Sequence, residues 1–369
     1  MVGDRVARTS IPLTRVTSGG ALKKSLKLMA VVASFTLITG VAVAPASQAA
    51  KIKLCLALDT GGVDDRSFNA SSWKGAQAST VSTAEYLPAT SSADFAPNIK
   101  KFVDKGCDLI VGVGFAIAPE IVKSAKANPT MKYATVDDAG QDCDANYNCK
   151  NVPNVKGLTF QTDEAAFMAG YLAAGMSKTG KVATYGGAPY PSVTIFMDGY
   201  ARGVAHYNKQ KGKSVQVLGW DPAKPASGTF VGNFSDQAKA LTISKGFEQQ
   251  GADVILPVGG SLGAPYAAES EKSKKSLTIW VDSDGYGLLT AGKSILLTTV
   301  VKELGASIKS VAKDVFDKKF TVTKYVGTLK NKGVSIAEYH DLSGQVPGTL
   351  KNEVRAIRDA IIAGTLKVS

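Results

Sequence analysis

The chain has 369 residues, of which 44% are hydrophobic and 20% charged, and its formal net charge is +12. Its lysines are scattered over predicted helix faces and form no clustered basic stripe, which argues against a nucleic-acid partner. The spacings of the four cysteines do not fit a metal site, and His206 and His340 are the only histidines, so we expect no metal and no cofactor.

Residues 1–49 have the three parts of an export signal. Three lysines between residues 23 and 27 precede an apolar stretch, 28–44, and small residues follow it. A retained transmembrane anchor is the alternative, but the small residues favour cleavage after residue 49 or 50. Val41 stands where a lipoprotein signal needs a cysteine, so we expect an exported, cell-surface or periplasmic protein without a lipid anchor. Six Lys or Arg and one Asp lie in residues 1–49, so cleavage lowers the net charge to +7.

After the leader, short apolar segments alternate with amphipathic stretches of helical length. The predicted strands are 52–58, 85–87, 109–113, 133–136, 157–160, 181–185, 215–219, 254–258 and 277–281, with two more at 325–329 and 334–338. The predicted helices include 94–105, 163–176, 294–316 and 349–363. This alternation predicts an α/β fold built from mainly parallel sheets with helices on both faces.

The length predicts two lobes, because about 320 residues exceed one typical core. We expect the first lobe to span residues 50–154 and the second to span 155–283. Residues 284–369 are too few for a third domain, so they should return to the first lobe and cross the hinge between the lobes again.

The cysteines of an exported chain can form disulfides. Cys143 and Cys149 bracket a short polar loop, and we predict that they are bonded. Cys55 lies in the first predicted strand and Cys107 directly precedes another. These two could pair across adjacent strands or remain as two buried thiols.

Carboxylates and glycines gather where the predicted strands end. Asp59 ends the first strand, Asp137 and Asp138 end the fourth, and Asp282 ends the last strand of the second unit. Turn chemistry could explain each position alone. Ligands of open α/β sheets bind at the carboxyl ends of the strands, however, and carboxylates suit a ligand with several hydroxyl groups.

Two aromatic residues, Phe68 and Phe234, lie at or near predicted helix starts on the same side of the sheets. They could hold a flat ring between them, or pack into the core as helix staples.

Two patterns resemble phosphate-binding motifs but do not match them fully. Residues 287–294 match the P-loop pattern, but residues 284–286 separate them from the preceding strand, whereas a P-loop follows its strand directly. A glycine pattern at Gly260 and Gly263 lacks its first glycine, because Val258 occupies that position. The chain also lacks a nucleophile elbow, and neither histidine lies in a strand-end turn, so we do not expect an enzyme.

The motifs together resemble one family. The segment 59–69, DTGGVDDRSFN, and the segments 73–75, 112–115, 164–173, 232–236, 281–284 and 297–302 are similar to the BMP/PnrA-like substrate-binding proteins of ABC transporters. The resemblance covers about residues 51–368 and implies the two-lobed fold of type I periplasmic binding proteins.

The resemblance also implies a purine-nucleoside site. Two Phe rings would stack on the base, Asp and Lys side chains would hold the ribose, and a glycine would allow close backbone approach. The residues at the matching positions are Asp59, Phe68, Asn69, Asp137, Phe234, Gly260, Asp282 and Lys302. Three positions have a neighbouring alternative, namely Asp138 for Asp137, Phe230 for Phe234 and Asp284 for Asp282.

The implied function is capture of a nucleoside by hinge closure, followed by docking of a monomer on a membrane permease. An exported enzyme acting on nucleosides and a ligand-sensing receptor without transport are the alternatives.

Overall fold

The computed structural model describes residues 50–144, 146 and 148–368. The predicted export signal at 1–49 lies outside the described residues. Among the helices that are described, none is both long and apolar enough to cross a membrane.

Strands and helices alternate along most of the chain, as the sequence predicts. The strands are β1 Ile52–Leu58, β2 Ser82–Leu87, β3 Leu109–Val113, β4 Lys132–Val136, β5 Gln141–Cys143, β6 Cys149–Asn151, β7 Val155–Phe160, β8 Lys181–Gly186, β9 Gln216–Leu218, β10 Val254–Val258, β11 Leu277–Asp282, β12 Leu296–Lys302, β13 Tyr325–Gly327 and β14 Val334–Ile336. The helices are α1 Phe68–Gln77, α2 Phe95–Asp104, α3 Ala118–Ala127, α4 Thr162–Met176, α5 Pro191–Lys211, α6 Gln237–Gln249, α7 Ala264–Ser273, α8 Gly285–Leu288, α9 Leu304–Phe316 and α10 Gly348–Ile362.

Two six-stranded sheets define two lobes. The first sheet has the order β13-β7-β4-β3-β1-β2 and is parallel throughout. The second has the order β14-β12-β11-β10-β8-β9, and only β14 runs antiparallel to its neighbour. We call the first sheet with α1, α2, α3 and α9 the first lobe, and the second sheet with α4–α7 and α10 the second lobe. The prediction of an α/β fold with mainly parallel sheets is confirmed.

The central strands are buried because helices cover both faces of each sheet. Every residue of β3 and of β10 is buried, and so is β1 from Leu54 to Leu58. The covering helices are amphipathic: α2, for example, buries Phe95, Ile99 and Phe102 on one face. The apolar runs of the sequence therefore become the middle layer of each lobe.

The chain crosses between the lobes three times, and the first crossing differs from the expected boundary at residue 155. Strand β7 pairs in parallel with β4, so it belongs to the first lobe, and the chain crosses only after Phe160. The apolar pattern of β7 identifies a buried strand but does not choose its sheet. The second crossing follows Lys302, and the third connects β13 with β14.

The predicted helix over 294–316 is wrong in its first part. Leu296–Lys302 forms β12, between β11 and β14, and α9 begins only at Leu304. The segment LLTTVVK is rich in β-branched residues and buried at six of its seven positions. Such a run fits a strand that is covered on both faces, and tertiary pairing overrides the helical periodicity.

Two disulfides link the four cysteines, which lie between residues 55 and 149. Cys143 and Cys149 join the antiparallel pair β5 and β6. Cys55 on β1 is bonded to Cys107, with 6.2 Å between their Cα atoms. Of the two alternatives left open by the sequence, the structure therefore has the disulfide and not two buried thiols.

Candidate functional site

A cleft lies between the lobes where the carboxyl ends of both sets of strands meet. It holds about 640 Å³ of empty space, counting the part open to solvent at its mouth, which is in the range of small-molecule sites. All eight residues singled out from the sequence line this cleft: Asp59, Phe68, Asn69, Asp137, Phe234, Gly260, Asp282 and Lys302. The neighbouring alternatives Asp138, Phe230 and Asp284 are not part of its lining.

The centre of the cleft is a buried ammonium group between two carboxylates. Lys302 Nζ lies 2.6 Å from Asp137 Oδ2 and 3.3 Å from Asp282 Oδ1. Asp137 follows β4 of the first lobe, whereas Lys302 and Asp282 end two strands of the second lobe. Both aspartates have left-handed backbones, with φ of 63° and 69°, a conformation that costs energy in a non-glycine residue and is common at functional sites. The ion pair therefore spans the two lobes.

Burial and charge act in opposite directions on these groups. Burial alone would lower the pKa of the Lys302 ammonium, but the charges and hydrogen bonds of Asp137 and Asp282 outweigh it and raise the pKa. Burial raises the pKa of the Asp137 carboxyl, and the nearby Lys302 opposes that rise. Lys302 thus remains a cation at neutral pH.

Three aromatic rings surround this ammonium group. The Lys302 Nζ lies 4.9 Å from the ring centre of Phe68, 5.1 Å from that of Phe196 and 5.8 Å from that of Phe160. Cation–π attraction at such distances stabilises the charge after it leaves water. Phe196 also lines the cleft, but the sequence analysis did not predict it. A Phe in the interior of a helix has the same pattern as an ordinary core residue.

The start of α1 is organised by Asp65, a second residue that sequence reasoning missed. Its buried carboxylate accepts the backbone N–H groups of Ser67, Asn69 and Ala70 at 3.0, 2.7 and 3.0 Å. Burial raises the pKa of Asp65 to about 6, although these hydrogen bonds oppose the shift. An acidic residue just before a predicted helix start is the signal that could have identified it.

Two polar groups of the first lobe face the cleft with unused hydrogen-bonding capacity. Asn69 is buried, and its Oδ1 has no hydrogen-bond partner. The carboxylate of Asp59 accepts the backbone N–H of Thr60 at 2.6 Å, and burial raises its pKa. A buried polar atom without a partner is costly, so both groups are suited to hydrogen bonds from a ligand.

A row of rings lines the other side of the cleft. Phe115 of the first lobe lies 5.4 Å from Tyr190 of the second lobe, and Tyr190 lies 5.9 Å from Phe234. Tyr190 was also missed in the sequence. By contrast Phe230, the alternative to Phe234, packs edge-on against the buried Trp220.

The segment 287–294, the P-loop look-alike, is bonded by a carboxylate of the protein itself. Glu271 accepts the backbone N–H groups of Gly292 and Ser294 at 2.8 and 3.0 Å, and its pKa is lowered by these bonds. Lys293 Nζ lies over the ring of Tyr286. Two amides at the end of this segment are therefore already bonded to the protein.

Among the described residues, Cys55, Glu85 and Cys107 form the one cluster with the spacing of metal ligands. Both sulfur atoms of this cluster are joined in the disulfide.

Two sheet-based lobes around a cleft lined by strand ends define a solute-binding protein of the periplasmic-binding class. The chain belongs to the Bmp family, the PnrA-like substrate-binding proteins of ABC transporters, whose family model matches residues 52–368. Members of this family bind a small molecule and act with a membrane permease.

The curated relatives are 24–30% identical to this chain over the aligned residues. The chain is 28% identical to the ABC transporter nucleoside-binding protein BmpA of Lactococcus lactis subsp. cremoris, over 84% of this chain and 85% of that protein. It is 30% identical to Basic membrane protein A of Borreliella burgdorferi, over 69% of this chain and 70% of that protein.

Solved structures show the same fold. An ABC transporter solute-binding protein from Aeropyrum pernix K1 matches with a TM-score of 0.72 at 22% identity, over 86% of this chain and 92% of that chain. A second, from Conexibacter woesei, matches with a TM-score of 0.64 at 21% identity, over 86% of this chain and 98% of that chain.

Proposed function

We propose that this protein is the exported solute-binding component of an ABC importer and that it captures a purine nucleoside in the cleft between its lobes. The observation that carries the proposal is the combination, in one cleft, of aromatic rings with a buried Lys302 flanked by Asp137 and Asp282. A nucleoside joins a flat aromatic base to a ribose with several hydroxyl groups, and this cleft offers partners for both parts.

The aromatic partners of the base are Phe68 of the first lobe and Phe234 of the second. Aromatic rings from opposite lobes can hold a base on both faces, and stacking tolerates different bases because each has a π-face. Tyr190 next to Phe234 extends the apolar wall on that side.

The hydrogen-bonding partners of the ligand are Asp59, Asn69 and the group formed by Lys302 with Asp137 and Asp282. Ionised carboxylates accept strong hydrogen bonds from hydroxyl groups, and Asn69 can both donate and accept. The buried Oδ1 of Asn69, which lacks a partner, gains one when a ligand donor fills the cleft.

The charge of the cleft favours a nucleoside over a nucleotide. Its lining has four carboxylates, from Asp59, Asp65, Asp137 and Asp282, and one ammonium group, from Lys302. A phosphate would bring further negative charge into a buried site whose single cation is already paired, so its desolvation would be poorly compensated.

The name of the Lactococcus lactis relative, a nucleoside-binding protein, agrees with this proposal. In our proposal the ligand contacts both lobes and shifts an equilibrium toward the closed form, which a permease then recognises. The protein acts as a monomer, outside the cytoplasm and without a lipid anchor.

A ligand screen tests the proposal. The purified protein is heated with adenosine, guanosine or inosine, with ribose or a free base, and with a nucleoside 5′-monophosphate. Ligands that bind the native state raise the melting temperature, so we expect a rise with the nucleosides alone. A rise with a sugar or an amino acid and none with nucleosides would contradict the nucleoside assignment and leave the cleft as a site for another ligand.

A further inference from the structure

The lobes meet beneath the cleft at the turn that begins α1. Ser67 is completely buried there, and its Oγ lies 2.7 Å from Asp282 Oδ2 and 3.0 Å from the carbonyl oxygen of Val281, both in the second lobe. Next to it, the indole Nε1 of Trp280 donates to the carbonyl oxygen of Arg66 at 3.4 Å. This short turn therefore connects the first lobe to the end of β11.

The hydroxyl of Ser67 can form a hydrogen bond with the second lobe because a different residue caps the helix. Ser67 occupies the N-cap position of α1, where a serine hydroxyl usually accepts a backbone N–H of the first turn. Here its side chain makes no such bond, since Asp65 accepts the N–H groups of Asn69 and Ala70 instead. The helix needs Asp65 for capping, and the Ser67 hydroxyl is left for Asp282.

Gly260 faces Ser67 from the second lobe. A Cβ atom at residue 260 would lie 3.1 Å from the Cβ of Ser67, and the backbone of Gly260 is left-handed, with φ of 56°. Gly260 thus lies close to Ser67, and a larger residue at this position would push the two lobes apart.

Both cleft-lining groups at the ends of β11 and β12 are held by the first lobe. Asp282 is bonded by Ser67, and Lys302 is bonded by Asp137. When the lobes separate, both bonds break, and the Asp282 carboxylate keeps only its longer contact with Lys302 of the same lobe. Ser67 itself is not part of the cleft lining.

We propose that Ser67 is a positioning residue that latches the closed form by bonding Asp282, with Gly260 shaped to admit it. This inference rests on the proposed function, because the latch acts on the nucleoside by orienting Asp282 and by slowing the opening of the cleft. The ligand then dissociates more slowly than it would without the bond between Ser67 and Asp282.

The test is Ser67→Ala, with Ser72→Ala as its matched control. Ser72 is also completely buried and lies in α1, which Ser67 precedes, but its Oγ has no hydrogen-bond partner, so its removal should be neutral. Stopped-flow kinetics with guanosine, adenosine and inosine give the association and dissociation rates. We expect Ser67→Ala to raise the dissociation rate by about tenfold, as for a lost hydrogen bond to a charged acceptor, and to leave the association rate unchanged within about twofold.

A scattering measurement separates a latch from a general structural role. At a subsaturating nucleoside concentration, Ser67→Ala should show a larger radius of gyration than the wild type, and at saturation the two should agree. Gly260→Ala provides a second variant from the opposite lobe, with the same expected rise in dissociation rate, should Ser67→Ala not fold.

The outcomes are distinct. Equal dissociation rates for the wild type, Ser67→Ala and Gly260→Ala would overturn the latch and leave the proposed function standing. A wild type that binds none of the three nucleosides would overturn the proposed function, and this inference with it. A rise in the dissociation rate for Ser72→Ala equal to that for Ser67→Ala would also overturn the latch, since it would show a general effect of altering α1.

Discussion

Lys302 and Asp137 form an ion pair of 2.6 Å between the two lobes, and both side chains are almost completely buried. Lys302 ends β12 at the second crossing of the chain, and Asp137 follows β4 in the first sheet. The charge centre of the cleft therefore lies beside a hinge, so that any movement of the lobes changes its geometry.

Removal of Lys302 should destabilise the protein, because Asp137 and Asp282 would remain as uncompensated buried charges. We expect Lys302→Met to lower the free energy of unfolding by about 3–5 kcal/mol and to abolish nucleoside binding. The deficit should be smaller near pH 5 than near pH 7, since burial raises the pKa of the Asp137 carboxyl and the cost of its buried charge falls as it takes up a proton. Urea unfolding at both pH values measures it. Lys100→Met removes a solvent-exposed pair with Asp104 and should cost less than about 1 kcal/mol; a similar cost for both variants would contradict the prediction.

Asp59→Ala should remove ligand binding while leaving the fold intact. The Asp59 carboxylate is bonded within the protein only to the adjacent Thr60 N–H among the hydrogen bonds of the described residues. We expect the nucleoside affinity to fall by at least about tenfold, as for lost hydrogen bonds to a charged group. Isothermal titration calorimetry measures this, and the exposed Asp64→Ala is the control. An unchanged affinity for Asp59→Ala would show that this carboxylate does not touch the ligand.

Phe68→Ala should weaken a purine nucleoside more than ribose. Loss of base stacking costs about 1–3 kcal/mol, whereas ribose has no π-face to lose. Competition binding against a reporter nucleoside measures both ligands on the same variant. Equal losses for the two ligands would argue that Phe68 supports the fold around Lys302 and does not stack on a base.

Asp65 should make stability depend on pH in the acidic range. Its pKa is raised from 3.8 to about 6 in the folded protein, so the folded state binds a proton more tightly than the unfolded state. The contribution of Asp65 to stability is therefore largest below about pH 4, falls as the pH rises to about 6, and is constant above that. The difference in unfolding free energy between the wild type and Asp65→Asn should fall by roughly 2–3 kcal/mol across this window. Urea unfolding from pH 4 to pH 7 measures it, and a difference that is flat or rises with pH would contradict the assignment.

The P-loop look-alike should have a structural role only. Lys293→Ala should leave nucleoside affinity unaltered, because Lys293 lies over Tyr286 outside the cleft. Glu271→Ala should lower the free energy of unfolding by about 1 kcal/mol, because the donors of Gly292 and Ser294 lose their acceptor. Calorimetry and urea unfolding test the two variants, and a large loss of ligand affinity in Lys293→Ala would revive a phosphate-binding role.

Much of the lining of the cleft could be predicted from the sequence. Asp59, Asp137 and Asp282 were visible because each follows an apolar strand, and parallel strands bring their carboxyl ends to one edge. Phe196 and Tyr190 were not visible, because a ring in a helix or a loop carries no sign of the surface it will face. Asp65 differs again, since its position before α1 is a local signal that could have been used.

The sequence by itself determined where the buried strands of this protein begin and end. The bounds of β1, β3 and β10 agree with the predicted 52–58, 109–113 and 254–258, because strands buried on both faces are short and mainly apolar; in β1 only Lys53 is exposed.

Tertiary structure decided what depends on which segments meet. It placed β7 in the first sheet, made β12 a strand, joined Cys55 to Cys107, and set Ser67 against Asp282. None of these follows from local pattern, because the partners are separated by tens to hundreds of residues along the chain. The energy that selects them, from strand pairing, bond formation and buried charge, exists only once both partners are in place.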